Sequence, residues 1–479
     1  MLACLLSLLL SWAGPGPVPP PLPPDSVRRF PVDSLLQAQC PNYRKLRVAT
    51  ILFAGNDVTK ERTLRAELDF TEGDSLAAPD LAARLEANRQ RLYNLQLFHV
   101  VGVQMVCRNG QLTILFGVQE RWYTFPVPIL SLADRNFRSW LDRPDRWQRI
   151  DYGLHLVRYN FRGRNEQVLS NIQLGFNRKY ELFYEAPGTG KRRLGFGTGA
   201  SYYRSHSLDY ATVNDRLVNF RDEEGFPIER WYVTGGLRWR HTVQRLTAVD
   251  VSWHQEKLSD TVARLNPNYF LGSQRRQYAD VRLTSTLNQR NTFAYPLTGQ
   301  YLQASLNYRA FFTPGSPNFI TAQATYARYL ALGHDFYYSI GLQGLIRFAR
   351  QVAYADNRAL GYEYLVRGYD RYTIEGQQLG LVQQGVSYQL FDTSKIRLKG
   401  VGDPKINTIP LALYLNTFAD AGYVAASAPL AANRLPNRLL GAVGIGLHLV
   451  TYYDRVFTVE YTRSLRGEGG FFFRSEFPI

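Results

Sequence analysis

Seven histidines (His99, His155, His206, His241, His254, His334 and His448) are scattered along the chain with none of the short spacings that hold a metal ion. No G-x-S-x-G elbow and no phosphate-binding loop is present. The chain therefore reads as a non-enzyme without metal or cofactor. Of its three cysteines, Cys4 lies in an expected export signal, leaving Cys40 and Cys107. An oxidising compartment permits a bridge between them, and two unpaired thiols are the alternative. The most suggestive charged groups are Arg367, in Leu365-Val-Arg-Gly-Tyr-Asp-Arg371, and Asp420, in Phe418-Ala-Asp-Ala-Gly422. A guanidinium and a carboxylate can form a bidentate pair. The alternative is a solvated loop arginine and a separate buried carboxylate.

Which of these holds depends on the elements that position them. Residues 1–24 combine an apolar run, Met1 to Ala13, with a Pro-rich stretch, Pro15 to Pro24. The apolar run suits a signal peptide and is too short to span a bilayer. A linker over 25–42 follows, and no later stretch approaches the ~18 apolar residues of a transmembrane helix. A helical membrane protein is thus excluded. The net charge of +16 is dominated by arginines spread along the chain, which argues against a nucleic-acid partner. Aromatics make up 14%, with 31 Tyr and 27 Phe against 3 Cys and 2 Met, a balance that fits an extracytoplasmic β protein.

Residues 43–121 form a small α+β unit. A strand, Leu46 to Phe53, ends at Ala54-Gly55-Asn56. Helical segments follow over Lys60 to Leu68 and from Pro79, with Leu81, Leu85, Leu92 and Leu95 at helical spacing. Val101, Val103 and Met105 then alternate up to an Asn109-Gly110 turn, and Leu112, Ile114, Phe116 and Val118 alternate after it. Asn-Gly between alternating runs predicts a hairpin. The order is β-α-α-β-β.

Residues 122–147 read as a second linker. From about 148 to 479 the chain breaks into long alternating runs separated by Gly, Pro, Asn and Asp. In the clearest, Leu302, Ala304, Leu306, Tyr308 and Ala310 alternate with Gln303, Ser305, Asn307 and Arg309. Soluble sandwiches use strands of about five or six residues. Runs of roughly ten or more with an apolar face suit an all-β transmembrane barrel. We count about 16 antiparallel strands, the even number expected of such a barrel. The first starts near residue 148, and the fifth, the weakest, near 207. The segment Phe391 to Ile409 is long for a turn on the side where turns should be short.

The front unit, through Ile51 to Asn56, Gly73-Asp74, Arg91 to Phe98 and Val118 to Arg121, resembles a POTRA (polypeptide-transport-associated) domain. Leu365 to Arg371, between the eleventh and twelfth strands, resembles the loop signature of the BamA/TamA family of outer-membrane assembly and translocation proteins. Phe418 to Gly422 looks like that family's inner-wall motif on strand thirteen, and Tyr295-Pro-Leu-Thr-Gly299 like its turn before a central strand. The resemblance implies that the loop folds back into the lumen. Arg367 would then meet Asp420, Gly368 would allow close approach to the wall, and Tyr369 would fill the adjoining gap, with Phe418 and Gly422 on the same inner face. It also implies an outer-membrane location with the POTRA domain in the periplasm. There an edge strand carrying Phe98, Val100, Val101, Val103 and Met105 would take up an extended client.

Phe471, Phe473 and Phe477 share one face of the last strand and form the expected insertion signal. Gly469 and Gly470 could loosen its pairing with a first strand over Arg149 to Tyr159. The expected partners are an unfolded outer-membrane or secreted polypeptide, outer-membrane lipid and periplasmic accessory proteins. The leading expectation is insertion or export of a β-prone client. A two-partner-type secretion pore, and a passive porin or surface antigen, are the alternatives.

Overall fold

The computed structural model describes residues 43–132, 146–188, 193–242, 244–292, 295–397, 408–451 and 455–476. Cys40, Phe477 and the expected signal segment lie outside them.

The front unit contains β1 (Lys45–Ala54), α1 (Glu61–Arg65), β2 (Ser75–Ala77), α2 (Leu81–Tyr93), β3 (Phe98–Arg108) and β4 (Gln111–Glu120). Its sheet runs β2-β1-β4-β3, with β1 parallel to β4 and the other pairs antiparallel. Asn109 and Gly110 have φ of 50° and 74°, as a two-residue hairpin requires. Leu81, Leu85 and Leu92 of α2 pack against Leu46, Val48, Ile51, Leu112, Ile114 and Phe116 in one core. The helix expected over Lys60 to Leu68 is only α1, because the N–H groups of Glu67 and Leu68 turn to the carbonyls of Leu64 and Arg65, three residues back, and so leave the α-helical pattern.

The barrel is a 16-stranded sheet. Its first five strands are β5 (Thr124–Leu132), β6 (Ile150–Phe161), β7 (Glu166–Gly175), β8 (Asn177–Ala186) and β9 (Leu194–Ser205). A separate hairpin, β10 (Ser207–Val213) and β11 (Arg216–Arg221), follows. The wall resumes with β12 (Ile228–Arg240), β13 (Arg245–Leu258), β14 (Arg275–Asn288), β15 (Gly299–Phe311), β16 (Phe319–Gly333) and β17 (Phe336–Phe348). The loop after β17 carries the short strands β18 (Arg358–Leu360) and β19 (Ile374–Glu375). The last five wall strands are β20 (Gln378–Arg397), β21 (Thr408–Ala425), β22 (Leu439–Thr451), β23 (Arg455–Ser464) and β24 (Gly469–Glu476).

Alternation along these strands is inverted relative to a soluble protein. Leu302, Leu306, Val251, Val281 and Ile445 are exposed on the outside, while Arg276, Asp280, Asn307, Asn416, Asp420 and Glu460 are buried within. Apolar surface that a soluble protein would hide faces outward all round, which is the wall of a lipid-embedded barrel. Among the described residues no helix is long and apolar enough to cross a membrane.

Three expectations need correction. The segment read as a linker over 122–147 carries the first barrel strand, β5. Pro126 and Pro128 masked its alternation. The strand expected near 207 belongs instead to the β10–β11 hairpin, whose arms of 7 and 6 residues are too short to cross a bilayer. One strand gained and one lost leave the total unchanged, so β20 and β21 remain twelfth and thirteenth. Accordingly the first-strand partner of β24 at the barrel seam is β5, and Arg149 to Tyr159 belongs to the second strand, β6. Strand covers both ends of the long interval from Phe391 to Ile409, because β20 extends to Arg397 and β21 begins at Thr408.

Candidate functional site in the barrel lumen

Asp420 lies on the inner face of β21 and its side chain is fully buried. Arg367, on the β17 to β20 loop, donates from Nε to its Oδ2 at 2.8 Å and from Nη2 to its Oδ1 at 2.6 Å. The Arg367 backbone N–H adds a bond of 3.1 Å to Oδ2. The guanidinium lies 3.6 Å from the centre of the Phe418 ring, so one aromatic face and one carboxylate fix its plane. Nη1 reaches Glu460 of β23 at 3.3 Å. The structure thus brings together the expected loop and wall residues.

Two glycines make the seat possible. Gly368 has φ of 87°, and a Cβ there would lie 2.8 Å from Cγ2 of Thr462. At Gly422 a Cβ would lie 2.6 Å from Cγ2 of Val366. Val366 and Tyr369 sink into a cluster with Leu360, Ile374, Leu381, Val424 and Leu440. The loop is therefore a packed plug against β20 to β22.

Several participants were not expected from sequence. Glu460 also accepts from Arg474 of β24 at 2.5 Å, and Arg474 donates to Asp370 of the loop at 2.6 Å. His448 of β22 lies 3.2 Å from Glu460 through Nε2 and 3.0 Å from the Tyr295 hydroxyl through Nδ1. Tyr295 stands in the motif read as a family turn, and its ring stacks on Tyr414 at 4.6 Å. The inward alternation of Thr458, Glu460 and Thr462 was the available signal for Glu460. Nothing in the local sequence pointed to His448 or Arg474.

The leading half of the same loop has its own anchor. Asp356 accepts from Arg276 and Arg309 at 2.6 Å each. These arginines are in turn held by Glu256 at 2.6 Å and Asp280 at 2.8 Å. The four charges lie on β13, β14 and β15, opposite the Arg367 pair in strand order. The loop is tethered to both halves of the wall.

The front domain docks on the barrel rim that bears the short turns. Glu67, buried, takes a bidentate bond from Arg240 at 2.5 and 2.6 Å. Lys60 N–H and the Thr63 hydroxyl donate to the Gly163 carbonyl at 2.9 and 3.1 Å. Gln90 of α2 donates to the Asn291 carbonyl at 3.3 Å, in the turn that carries Tyr295. Glu120 accepts from the N–H groups of Val58 and Thr59 at 3.0 and 2.7 Å, and Asn160 donates to Thr59 Oγ1 at 2.8 Å. Burial pushes the Tyr123 phenol well above its ordinary range, which keeps the hydroxyl neutral as it donates to the Leu97 carbonyl.

The expected client edge, β3, does lie at one end of its sheet. Phe98, Val101 and Met105 point into the core, and Val100 and Val103 are half-buried. What this edge offers is backbone rather than these side chains. Arg121 donates to the Phe98 carbonyl at 2.9 Å and Arg89 to that of Val101 at 3.4 Å. Cys107, on the same strand, is disulfide-bonded. On β24, Phe471 and Phe473 face outward, 79% and 65% exposed. Among the described residues no group of three or more His, Cys, Asp or Glu could hold a metal.

Comparison with known proteins matches this architecture. An Omp85 superfamily domain model matches residues 160–450, and a POTRA model, the surface antigen variable number repeat, matches residues 46–121. No curated protein matches the chain by sequence. Among solved structures, BamA from Haemophilus ducreyi lacking POTRA domains 1–3 is 16% identical, with a TM-score of 0.50 over 90% of this chain and 84% of that one. CdiB from Acinetobacter baumannii is 17% identical, with a TM-score of 0.50 over 90% and 74%. CdiB from Escherichia coli is 12% identical, with a TM-score of 0.55 over 90% and 76%. The chain belongs to the Omp85 superfamily of barrel proteins, with one matched POTRA domain ahead of its barrel.

Proposed function

We propose that this protein inserts a β-prone polypeptide into the outer membrane or exports it across, without enzymatic chemistry. The POTRA domain stands in the periplasm and takes up the client by strand addition along β3. The observation that carries this reading is the lumen itself: a passive pore keeps a water-filled passage, whereas here a loop is packed and ion-paired into it from both sides. A plug held by a few charged pairs can move as a unit when those pairs exchange partners. That same feature favours, as a second reading, a dedicated secretion pore whose plug leaves during transport.

Photo-crosslinkers at Gln104 and Val106, both exposed on β3, test client capture in living cells. We expect polypeptide adducts that disappear when the client is depleted. Absence of adducts from both positions, with outer-membrane and secreted proteins unchanged after depletion of this chain, would leave a passive barrel. Export and insertion separate by where the crosslinked client accumulates, in the medium or in the membrane.

A further inference from the structure

One charged row stands on the outside of the wall. The register pairs Arg178 of β8 with Arg204 of β9, Arg204 with Glu229 of β12, Glu229 with Lys257 of β13, and Lys257 with Arg275 of β14. Side chains alternate between the faces of a sheet, so the same face continues two residues along each strand. There it carries Tyr180, Tyr202, Trp231, Gln255 and Gln277, and one step further Leu182, Ala200, Val233, Trp253 and Ala279. Leu182, Val233, Val251 and Val281 are exposed on this face. The row therefore borders the lipid-facing band, with aromatic rings beneath it as at a membrane interface. It borders the band at the end away from the front domain, which docks at Arg240, the opposite end of β12.

The row holds four cations and one carboxylate. Glu229 accepts from the Tyr202 hydroxyl at 3.2 Å. The adjacent inward-facing cations are neutralised, Lys179 by Glu181 at 2.8 Å and Arg230 and Arg276 by Glu256 at 3.1 and 2.6 Å. Arg178, Arg204, Lys257 and Arg275 take no ion pair among the described residues. The Phe226 ring serves the first two, its centre 4.1 Å from the Arg204 guanidinium and 5.6 Å from that of Arg178. It holds their positions without consuming charge. Lys257 and Arg275 are exposed. At about 4.8 Å per strand, the centres of the two cationic pairs stand roughly 14 Å apart along the sheet.

Resting on the reading that puts the front domain in the periplasm, and so this rim in the outer leaflet, we propose that the row binds a glycolipid whose sugar head carries two phosphates. One phosphate meets Arg178 and Arg204, the other meets Lys257 and Arg275, and the acyl chains lie along Leu182 and Val233. Arginine forks match phosphate oxygens, and a basic cluster at a membrane surface attracts anionic heads. A glycerophospholipid with a single phosphate answers only one pair, and Glu229 between the pairs discourages one anion from sliding across both.

The test is native mass spectrometry of the full chain in detergent with added bisphosphorylated lipid A, monophosphorylated lipid A or phosphatidylglycerol. We expect the parent to retain the bisphosphorylated form at least about tenfold better than either of the others. Arg178→Gln/Arg204→Gln and Lys257→Gln/Arg275→Gln should each remove that preference. Arg245→Gln, on the same face at the opposite rim, should keep it. Heat-dependent gel mobility shows that each variant is folded. Equal retention of the three lipids by the parent, or an unchanged preference in both double variants, would overturn the site. Loss of the preference in Arg245→Gln would overturn it as well, since charge anywhere on the wall would then suffice. The measurement involves no polypeptide client, so failure of the transport reading would leave its result standing.

Discussion

The Arg367–Asp420 pair is a buried ion pair whose cost of disruption depends on which member is left behind. Removing one member of such a pair costs on the order of 3 to 5 kcal/mol because the survivor is buried without compensation. Arg367→Ala strands Asp420, whose side chain has no solvent access. Asp420→Ala leaves Arg367 with Glu460 still at 3.3 Å. We therefore expect Arg367→Ala to lower barrel stability more than Asp420→Ala, and the double change to cost less than the two singles added. Denaturant titrations followed by heat-dependent gel mobility measure all three, and strict additivity would mean the pair is not coupled. A second residue-scale expectation concerns Gly422. Gly422→Ala should cost about 1 to 3 kcal/mol by pushing Val366 off the wall, and Val366→Ala on the same background should recover most of it. Loss of the rescue in the same titration would show that the glycine serves something other than loop seating. Arg367 and Asp420 were visible in sequence because both sit in compact motifs. Glu460, His448 and Arg474 were not, since a lumen partner is chosen by barrel curvature across strands far apart in the chain.

At the scale of elements, alternation revealed the long wall strands, and local rule-breaking hid the rest. In β15, Leu302 to Ala310 alternate without interruption, and the strand stands where the pattern put it. Prolines in β5 read as a linker because a central strand cannot contain them; they are tolerated on the side that lacks a partner. The β10–β11 hairpin alternates less regularly than the wall, with a register shift between Asp209 and Ala211, and its short arms set it apart. The edge of β3 follows the same backbone logic. Its two-residue hairpin fixes even-numbered residues toward β4, so Val103 turns its N–H to the open edge and Gln104 turns its own inward. Val103→Pro should leave the POTRA sheet folded and reduce client adducts at Val106 several-fold, whereas Gln104→Pro should break the β3–β4 ladder. Far-ultraviolet circular dichroism of each full-length variant, with adduct yield, separates the two effects. Equal adduct yields from Val103→Pro and the parent would mean that β3 takes up no strand.

At the scale of the whole molecule, the docked domain and the loop lock share a physical frame. Gln90 meets the turn that bears Asn291 and Tyr295; Tyr295 meets His448, His448 meets Glu460, and Glu460 meets Arg367. Contiguity of this kind carries coupling only if one of its ends has two positions. The domain's hold on the rim is the end most open to test. Glu67 is 1% exposed in its side chain and Arg240 is 19% exposed, so the two halves of this pair are not equivalent. Arg240→Ala buries a carboxylate with its main partner gone, at about 3 kcal/mol or more. Glu67→Gln leaves a neutral amide in place and lets Arg240 turn toward water, at a smaller cost. Arg240→Ala should therefore swing the domain from the rim, seen as trypsin cleavage near residues 121–124 at least about tenfold faster, with Glu67→Gln intermediate. If undocking also raises exchange of the backbone amides around Arg367, the domain biases the plug. If cleavage accelerates and those amides stay protected, docking and locking are independent, and the chain of contacts between them is structural only.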